Sequence, residues 1–169
     1  MRIAGKLKLG FYPLPMREAD RIRLRLRYPA EFSALDPCVG DGAAYSRLLE
    51  TANAHAYGIE IDAYRAEQAA QIGIRVVQAS ALTVRCPVES VSLLYLNPPY
   101  DFESGQQGNK RLEFVFLDHT YRWLKQKGVL VFVLPQEQLK VCAKILAEHF
   151  VDLRIYRLTE PVCVQYRQV

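Results

Sequence analysis

Apolar positions along the chain fall into short blocks that alternate between the period of a strand and the period of a helix. Phe32 to Leu35 is a short apolar run ending at Asp36 and predicts a first strand. After Gly42, the residues Tyr45, Leu48, Leu49 and Ala52 stand at i, i+3, i+4 and i+7, one face of a helix. His55 to Ile61 predicts a second strand, Ala63 to Ile72 an alanine-rich helix, and Arg75 to Ala79 a third strand. Ser90 to Leu96 is apolar almost throughout, as a strand covered on both faces should be. Asp101 to Lys110, rich in Gly, Gln and Asn, predicts a loop. A helix should follow with Phe114, Leu117, Tyr121 and Leu124 on one face, stopped by Gly128, before a fifth strand from Val129 to Leu134. Pro135 should open another helix, with Leu139, Cys142, Ala143, Leu146 and Phe150 inward, and Val151 to Leu158 alternates as a sixth strand. Arg21 to Arg27 alternates with period two, yet Ala19, Ile22 and Leu26 also share a helix face. Pro15 is a good helix opener, so a helix is expected there.

Strands alternating with helices predict an α/β fold, a doubly wound and mostly parallel Rossmann-like sheet with helices on both faces. A chain of 169 residues fits one domain, residues 1–169, with residues 1–30 as an N-terminal flank. In such sheets ligands bind outside the carboxyl ends of the strands. Two motifs sit there. Asp36-Pro37-Cys38-Val39-Gly40-Asp41-Gly42 follows the first strand, and Asn97-Pro98-Pro99-Tyr100 follows the fourth.

The first motif is a nucleotide-type turn whose glycines let the backbone approach a ligand closely. Glu60, eighteen residues past Gly42 at the end of the second strand, can accept hydrogen bonds from two ribose hydroxyls. A dinucleotide turn would carry a third glycine where this chain has Tyr45. Asp36 and Asp41 would repel a pyrophosphate and would suit a ligand carrying a sulfonium and an ammonium group. That chemistry is S-adenosylmethionine, and it disfavours a dehydrogenase. Cys38 follows a proline, but its place in the cofactor turn makes it a packing residue and not a nucleophile.

The second motif suits a planar amino nitrogen. The lone pair of an aromatic amine is delocalised into its ring, and two acceptors on its hydrogens can turn that lone pair toward a methyl carbon. The Asn97 side-chain oxygen and the Pro98 carbonyl can be those acceptors, with Pro98 and Pro99 restricting the backbone between them. Tyr100 offers a face for stacking a base, which must leave a duplex to reach it.

Charge adds a partner. Residues 1–27 carry eight Lys or Arg against Glu18 and Asp20, a surplus of six on a chain whose net charge is +4. A basic flank on a near-neutral body suits a nucleic acid. The scattered Cys38, Cys86, Cys142 and Cys163 and the three histidines show no metal-ligand spacing, so no metal is expected. The sequence lacks an apolar run of membrane-spanning length or the apolar core of a signal peptide, so a cytoplasmic protein with no membrane partner is expected.

Asp36 to Gly42, Glu60 and Asn97 to Tyr100 resemble motifs I, II and IV of the class I S-adenosylmethionine-dependent methyltransferases, in particular the DNA adenine-N6 enzymes of the gamma type. Gly10-Phe11-Tyr12-Pro13-Leu14-Pro15 resembles motif X of that group, which precedes motif I. The resemblance implies that Tyr12, Pro13, Asp36, Pro37, Gly40, Gly42, Glu60, Ile61, Ser80, Ala81 and Asn97 hold the cofactor. It implies that Asn97, Pro98, Pro99 and Tyr100 position the amine. DNA is the implied substrate. RNA, a protein glutamine, and a non-catalytic subunit that binds nucleic acid are the alternatives. Two departures stand out. Ser80 occupies the place where the family often has an aspartate that bonds the cofactor's adenine. The chain also has no target-recognition domain and ends inside what resembles an antiparallel seventh strand, which implies either a fragment or a partner subunit that supplies specificity.

Overall fold

A computed structural model describes residues 12–100, 110–159 and 169. Its described helices and strands run α1 (Met16–Arg23), β1 (Phe32–Asp36), α2 (Ala43–Leu49), β2 (Ala54–Glu60), α3 (Ala63–Gln71), β3 (Arg75–Gln78), β4 (Val91–Leu96), α4 (Leu112–Thr120), β5 (Leu124–Phe132) and α5 (Leu139–His149). The strands form one sheet in the order β3-β2-β1-β4-β5, parallel at every pairing. The order reverses between β1 and β4, the switch point where ligands bind in sheets of this kind. The expected doubly wound α/β class is therefore borne out.

The chain divides into two units. One comprises Pro13–Asn97 and Thr120–Phe132 and contains the whole sheet; the other comprises Met1–Tyr12, Pro98–His119 and Val133–Val169. In the first unit, Ala34, Leu35, Leu93, Leu94, Tyr95 and Leu96 are buried, and Tyr45, Leu48 and Leu49 of α2 are buried with them. The period-of-four spacing after Gly42 thus marks the face that packs. Pro15 stands at the N-cap of α1, and its carbonyl accepts from the Glu18 and Ala19 amides, so proline opens the helix as expected. Part of its basic character is spent internally. Arg23 and Arg47 pair with Asp20, and Arg47 also pairs with Glu50.

Three expectations need correction. The helix before β5 ends at Thr120, and β5 begins at Leu124, five residues ahead of Val129. Lys125 to Gly128 is an irregularity inside the ladder and not a helix stop: Val91 pairs with Leu124 and Leu93 with Val129. Lys127 takes φ 63° there, and a Cβ on Gly128 would lie 2.8 Å from Leu124 Cγ, so glycine is needed for packing. The buried face of α4 is Glu113, Phe116, Leu117 and Thr120, and Phe114 and Tyr121 lie half-exposed beside it. Glu113 can be buried because Arg111 holds it through two bonds of 3.1 and 2.6 Å. In α5 the buried residues are Cys142 and Ile145, and Ala143 is exposed.

The third correction is the sixth strand. Residues 151–158 form no strand, and Val151, Leu153 and Ile155, whose alternation suggested one, are exposed. Alternation describes a strand only where a neighbouring edge exists to pair with it. Leu134 and Val169 exchange both backbone bonds, at 3.1 and 2.9 Å, the pattern of a single antiparallel pair. The expected seventh strand otherwise lies outside the described residues, as do residues 101–109 of the loop expected over Asp101 to Lys110 and Gly10 and Phe11 of the N-terminal motif. No helix among the described residues is long and apolar enough to cross a membrane.

Candidate functional site

β1 delivers Asp36 to the carboxyl edge of the sheet, where its Oδ1 accepts from the Cys38 amide at 2.8 Å. The chain then turns through Gly40 at φ 59° and Gly42 at φ 79°, a left-handed region that favours glycine. The Val39 amide donates to the Ile59 carbonyl at 3.0 Å and the Gly42 amide to the Val39 carbonyl at 2.9 Å, so β2 pins the turn. A Cβ on Gly58 would meet Val39 Cγ1 at 2.8 Å, which shows how closely the turn lies against β2.

Glu60 ends β2 and is buried. Its Oε2 accepts from the Gly40 amide at 2.9 Å. Its Oε1 accepts from the Asp62 amide at 2.9 Å and from Arg65 Nη2 and Nε at 2.7 and 3.2 Å. Asp62 caps α3 by accepting from the Arg65 amide at 3.0 Å. Sequence reasoning found Glu60 and missed Arg65. The available signal was a cation in the first turn of the helix that follows an acidic strand end, five residues from Glu60.

Two buried carboxyl groups face this turn. Burial holds the Asp36 carboxyl well above its ordinary value; the Cys38 amide opposes that shift and the Glu60 charge adds to it. Burial, then Asp36, push the Tyr45 hydroxyl up. Burial, then the Asp36 and Glu60 charges, push the Cys38 thiol well above its ordinary value, which disfavours the thiolate a nucleophile requires. Cys142 is likewise pushed up to about 12, by burial and then by Glu113.

The Asp36 shift has a measurable consequence. Between its ordinary value of about 3.9 and the raised one, the folded chain keeps a proton that the unfolded chain has released. Stability should decline as pH rises through that interval. Urea midpoints measured across it should fall with pH in the wild type and flatten in Asp36→Asn; an unchanged slope in the variant would refute the assignment.

The remaining expected residues are spread over the turn, the ends of β2, β3 and β4, and the N-terminal flank. Pro37 is buried within the turn and Ile61 is exposed just beyond Glu60. Ser80 and the buried Ala81 follow β3 at a short 3₁₀ turn, near the Ala79 amide, which donates to the Glu60 carbonyl at 2.9 Å. Asn97 follows the last residue of β4, the strand beside β1, so it emerges at the same sheet edge as Asp36. Asp36, Gly40, Gly42, Glu60, Ser80, Ala81 and Asn97 thus belong to the carboxyl ends of four neighbouring strands. Pro98 is fully buried, and Pro99 and Tyr100 are half-buried. Tyr100 stacks on Tyr12 with ring centroids 5.2 Å apart and planes 15° apart, while Pro13 is exposed.

Comparison with known proteins agrees with this architecture. The profile of a family described as "Uncharacterised methyltransferase family (DUF6094)" matches residues 1–169. No curated protein matches. Among solved structures, a putative class I S-adenosylmethionine-dependent methyltransferase from Listeria monocytogenes is 16% identical with a TM-score of 0.71, over 84% of this chain and 55% of that one. The tRNA (m1A58) methyltransferase TrmI from Aquifex aeolicus is 16% identical with a TM-score of 0.67, over 90% of this chain and 62% of that one. A type I restriction-modification methyltransferase subunit from Streptococcus thermophilus is 20% identical with a TM-score of 0.62, over 77% of this chain and 35% of that one. The chain therefore spans less than two thirds of each of these proteins.

Proposed function

Because the chain belongs to the uncharacterised methyltransferase family DUF6094, we propose that it transfers a methyl group from S-adenosylmethionine to the exocyclic N6 of adenine in DNA. The observation that carries this reading is that Asn97, which opens the Asn97-Pro98-Pro99-Tyr100 motif, directly follows β4, the strand paired with the one that ends in the Asp36 turn. The residues present fit the cofactor. Gly40 and Gly42 leave the turn without side chains, and the buried Asp36 and Glu60 place carboxyl groups beside it that can accept hydrogen bonds from a ligand.

Bound S-adenosylmethionine would supply an electrophilic methyl carbon on sulfur. Asn97 Oδ1 and the Pro98 carbonyl accept the two hydrogens of the adenine amine and rotate its lone pair out of the ring. Tyr100 stacks the base, a contribution of about 1–3 kcal/mol. Its stack on Tyr12 holds the ring plane fixed. Transfer of that methyl would form the nitrogen–carbon bond as the carbon–sulfur bond broke, with the electron pair left on a neutral sulfur. The amine gains positive charge only in that step, so no strong base is needed before it, and the proton leaves afterwards.

A second reading, RNA, is favoured by the Aquifex aeolicus neighbour, whose name specifies tRNA. The Streptococcus thermophilus neighbour is a subunit, and this chain covers 35% of it. We therefore read target recognition as the work of a partner subunit. Arg17 and Arg27 are exposed near α1 and suit the nucleic-acid backbone. Incubation with methyl-labelled cofactor and, separately, mixed-sequence DNA, RNA and a glutamine peptide tests the reading. Label in DNA is expected. Label confined to RNA or peptide overturns the substrate, and no label in any arm overturns the activity.

A further inference from the structure

The Glu60 carboxylate is already engaged. Its Oε1 receives three donors, the Asp62 amide and two nitrogens of Arg65, and its Oε2 receives the Gly40 amide. A carboxylate oxygen has two in-plane lone-pair directions, so Oε1 is oversubscribed and Oε2 keeps room for one more donor. A ribose that bonds Glu60 through both neighbouring hydroxyls needs acceptor capacity on both oxygens. The Glu60 side chain is 6% exposed and that of Arg65 13%, so the guanidinium lies on the carboxylate as a cover.

We propose that Arg65 is a latch on the cofactor site, which closes on Glu60 in the free protein and is displaced by the ribose hydroxyls of an adenosine ligand. The inference rests on Glu60 as the ribose acceptor. The latch can move without disturbing its helix. The α3 cap is made by the Arg65 backbone amide to Asp62 Oδ1, so the backbone stays anchored while the side chain swings away. The Gly40 and Asp62 amides continue to orient the carboxylate once the arginine has left. Arg65 thereby discriminates among ligands. A molecule able to donate two hydroxyls replaces the guanidinium's two bonds, whereas one lacking them would leave a covered or uncompensated carboxylate.

The test is calorimetric binding of adenosine, S-adenosylhomocysteine and 2′,3′-dideoxyadenosine to the full chain as wild type, Arg65→Met and Arg65→Gln. Both substitutions keep an unbranched stem with good helix propensity, and thermal melts check that each variant folds. The latch predicts that both variants bind adenosine and S-adenosylhomocysteine about tenfold tighter, the gain when one charge-assisted bond no longer has to be broken. Binding of dideoxyadenosine should stay within about twofold. Wild-type binding that is unchanged or weakened in both variants would overturn the latch and leave the cofactor reading standing. An equal gain for dideoxyadenosine would overturn it too, because the effect would not depend on the hydroxyls. No binding of adenosine or S-adenosylhomocysteine to any form would overturn both readings.

Discussion

Asn97→Ala is expected to lower the rate of methyl transfer by about 10²–10³-fold, the loss typical of removing one fixed polar contact from a developing charge. Asn97 stands one residue past β4, where the sheet fixes its backbone. The variant would lose one of the two proposed acceptors on the amine, so the lone pair would stay conjugated with the ring more of the time. The effect should appear mainly in kcat, because the reacting geometry is lost, with a smaller loss of cofactor affinity, because Asn97 is one of several residues implied to hold the cofactor and Asp36 and Glu60 lie on other strands. Asn97→Asp should retain more activity than alanine, since an acceptor oxygen remains. Single-turnover rates at saturating cofactor would measure both. Equal rates for wild type and Asn97→Ala would remove Asn97 from the chemistry.

Gly42→Ala should be the most damaging single-atom change to stability, at about 2–5 kcal/mol. About 1–2 kcal/mol of this comes from forcing a residue with a Cβ into the left-handed region, and the rest from overpacking. The structural basis is specific. Gly42 has φ 79°, and a Cβ there would stand 2.6 Å from Ile74 Cδ1, 3.0 Å from Ala69 Cβ and 3.0 Å from Ile72 Cδ1. Two of these are flexible tips that can yield, but Ala69 Cβ belongs to the body of α3 and cannot. Gly73→Ala makes a useful control. It also has positive φ, at 91°, but a Cβ there meets nothing within 4 Å, so only the backbone part of the cost should appear. Urea unfolding of the two variants should therefore differ by about 1–3 kcal/mol. A Gly42→Ala midpoint equal to that of Gly73→Ala would show that the turn does not press against α3.

The sheet was legible in the sequence where burial on both faces made a run apolar, as at Ser90 to Leu96, or where a glycine turn separated two periods, as at Asp36 to Gly42. It was less legible where chemistry hides inside the helix pattern. Glu113 and Thr120 are buried positions of α4, yet polar residues do not register as a core face unless the Arg111 partner is known. Phe114 and Tyr121 drew attention because they are aromatic. The irregular start of β5 was missed because Lys125-Gln126-Lys127-Gly128 has the composition of a helix end, and only pairing with Val91 and Leu93 shows it to be part of a ladder. The false sixth strand is the converse case, alternation without an edge to bond. At the candidate site, the acidic strand end and the glycines were readable from spacing. The arginine on Glu60 left only the weaker signal of a cation five residues past an acidic strand end, because a side-chain ion pair across a strand–helix junction leaves no periodic trace.

Two oxygens, one from Asn97 and one from Pro98, are proposed to turn an exocyclic amine toward the methyl donor. Digestion of methylated DNA to nucleosides, followed by mass spectrometry against standards methylated at each position, tests it most directly. The expected product is N6-methyl-2′-deoxyadenosine, and it should be lost in Asn97→Ala. Methyl groups on a ring nitrogen or on carbon would contradict it, because neither atom carries the two hydrogens those oxygens are proposed to hold.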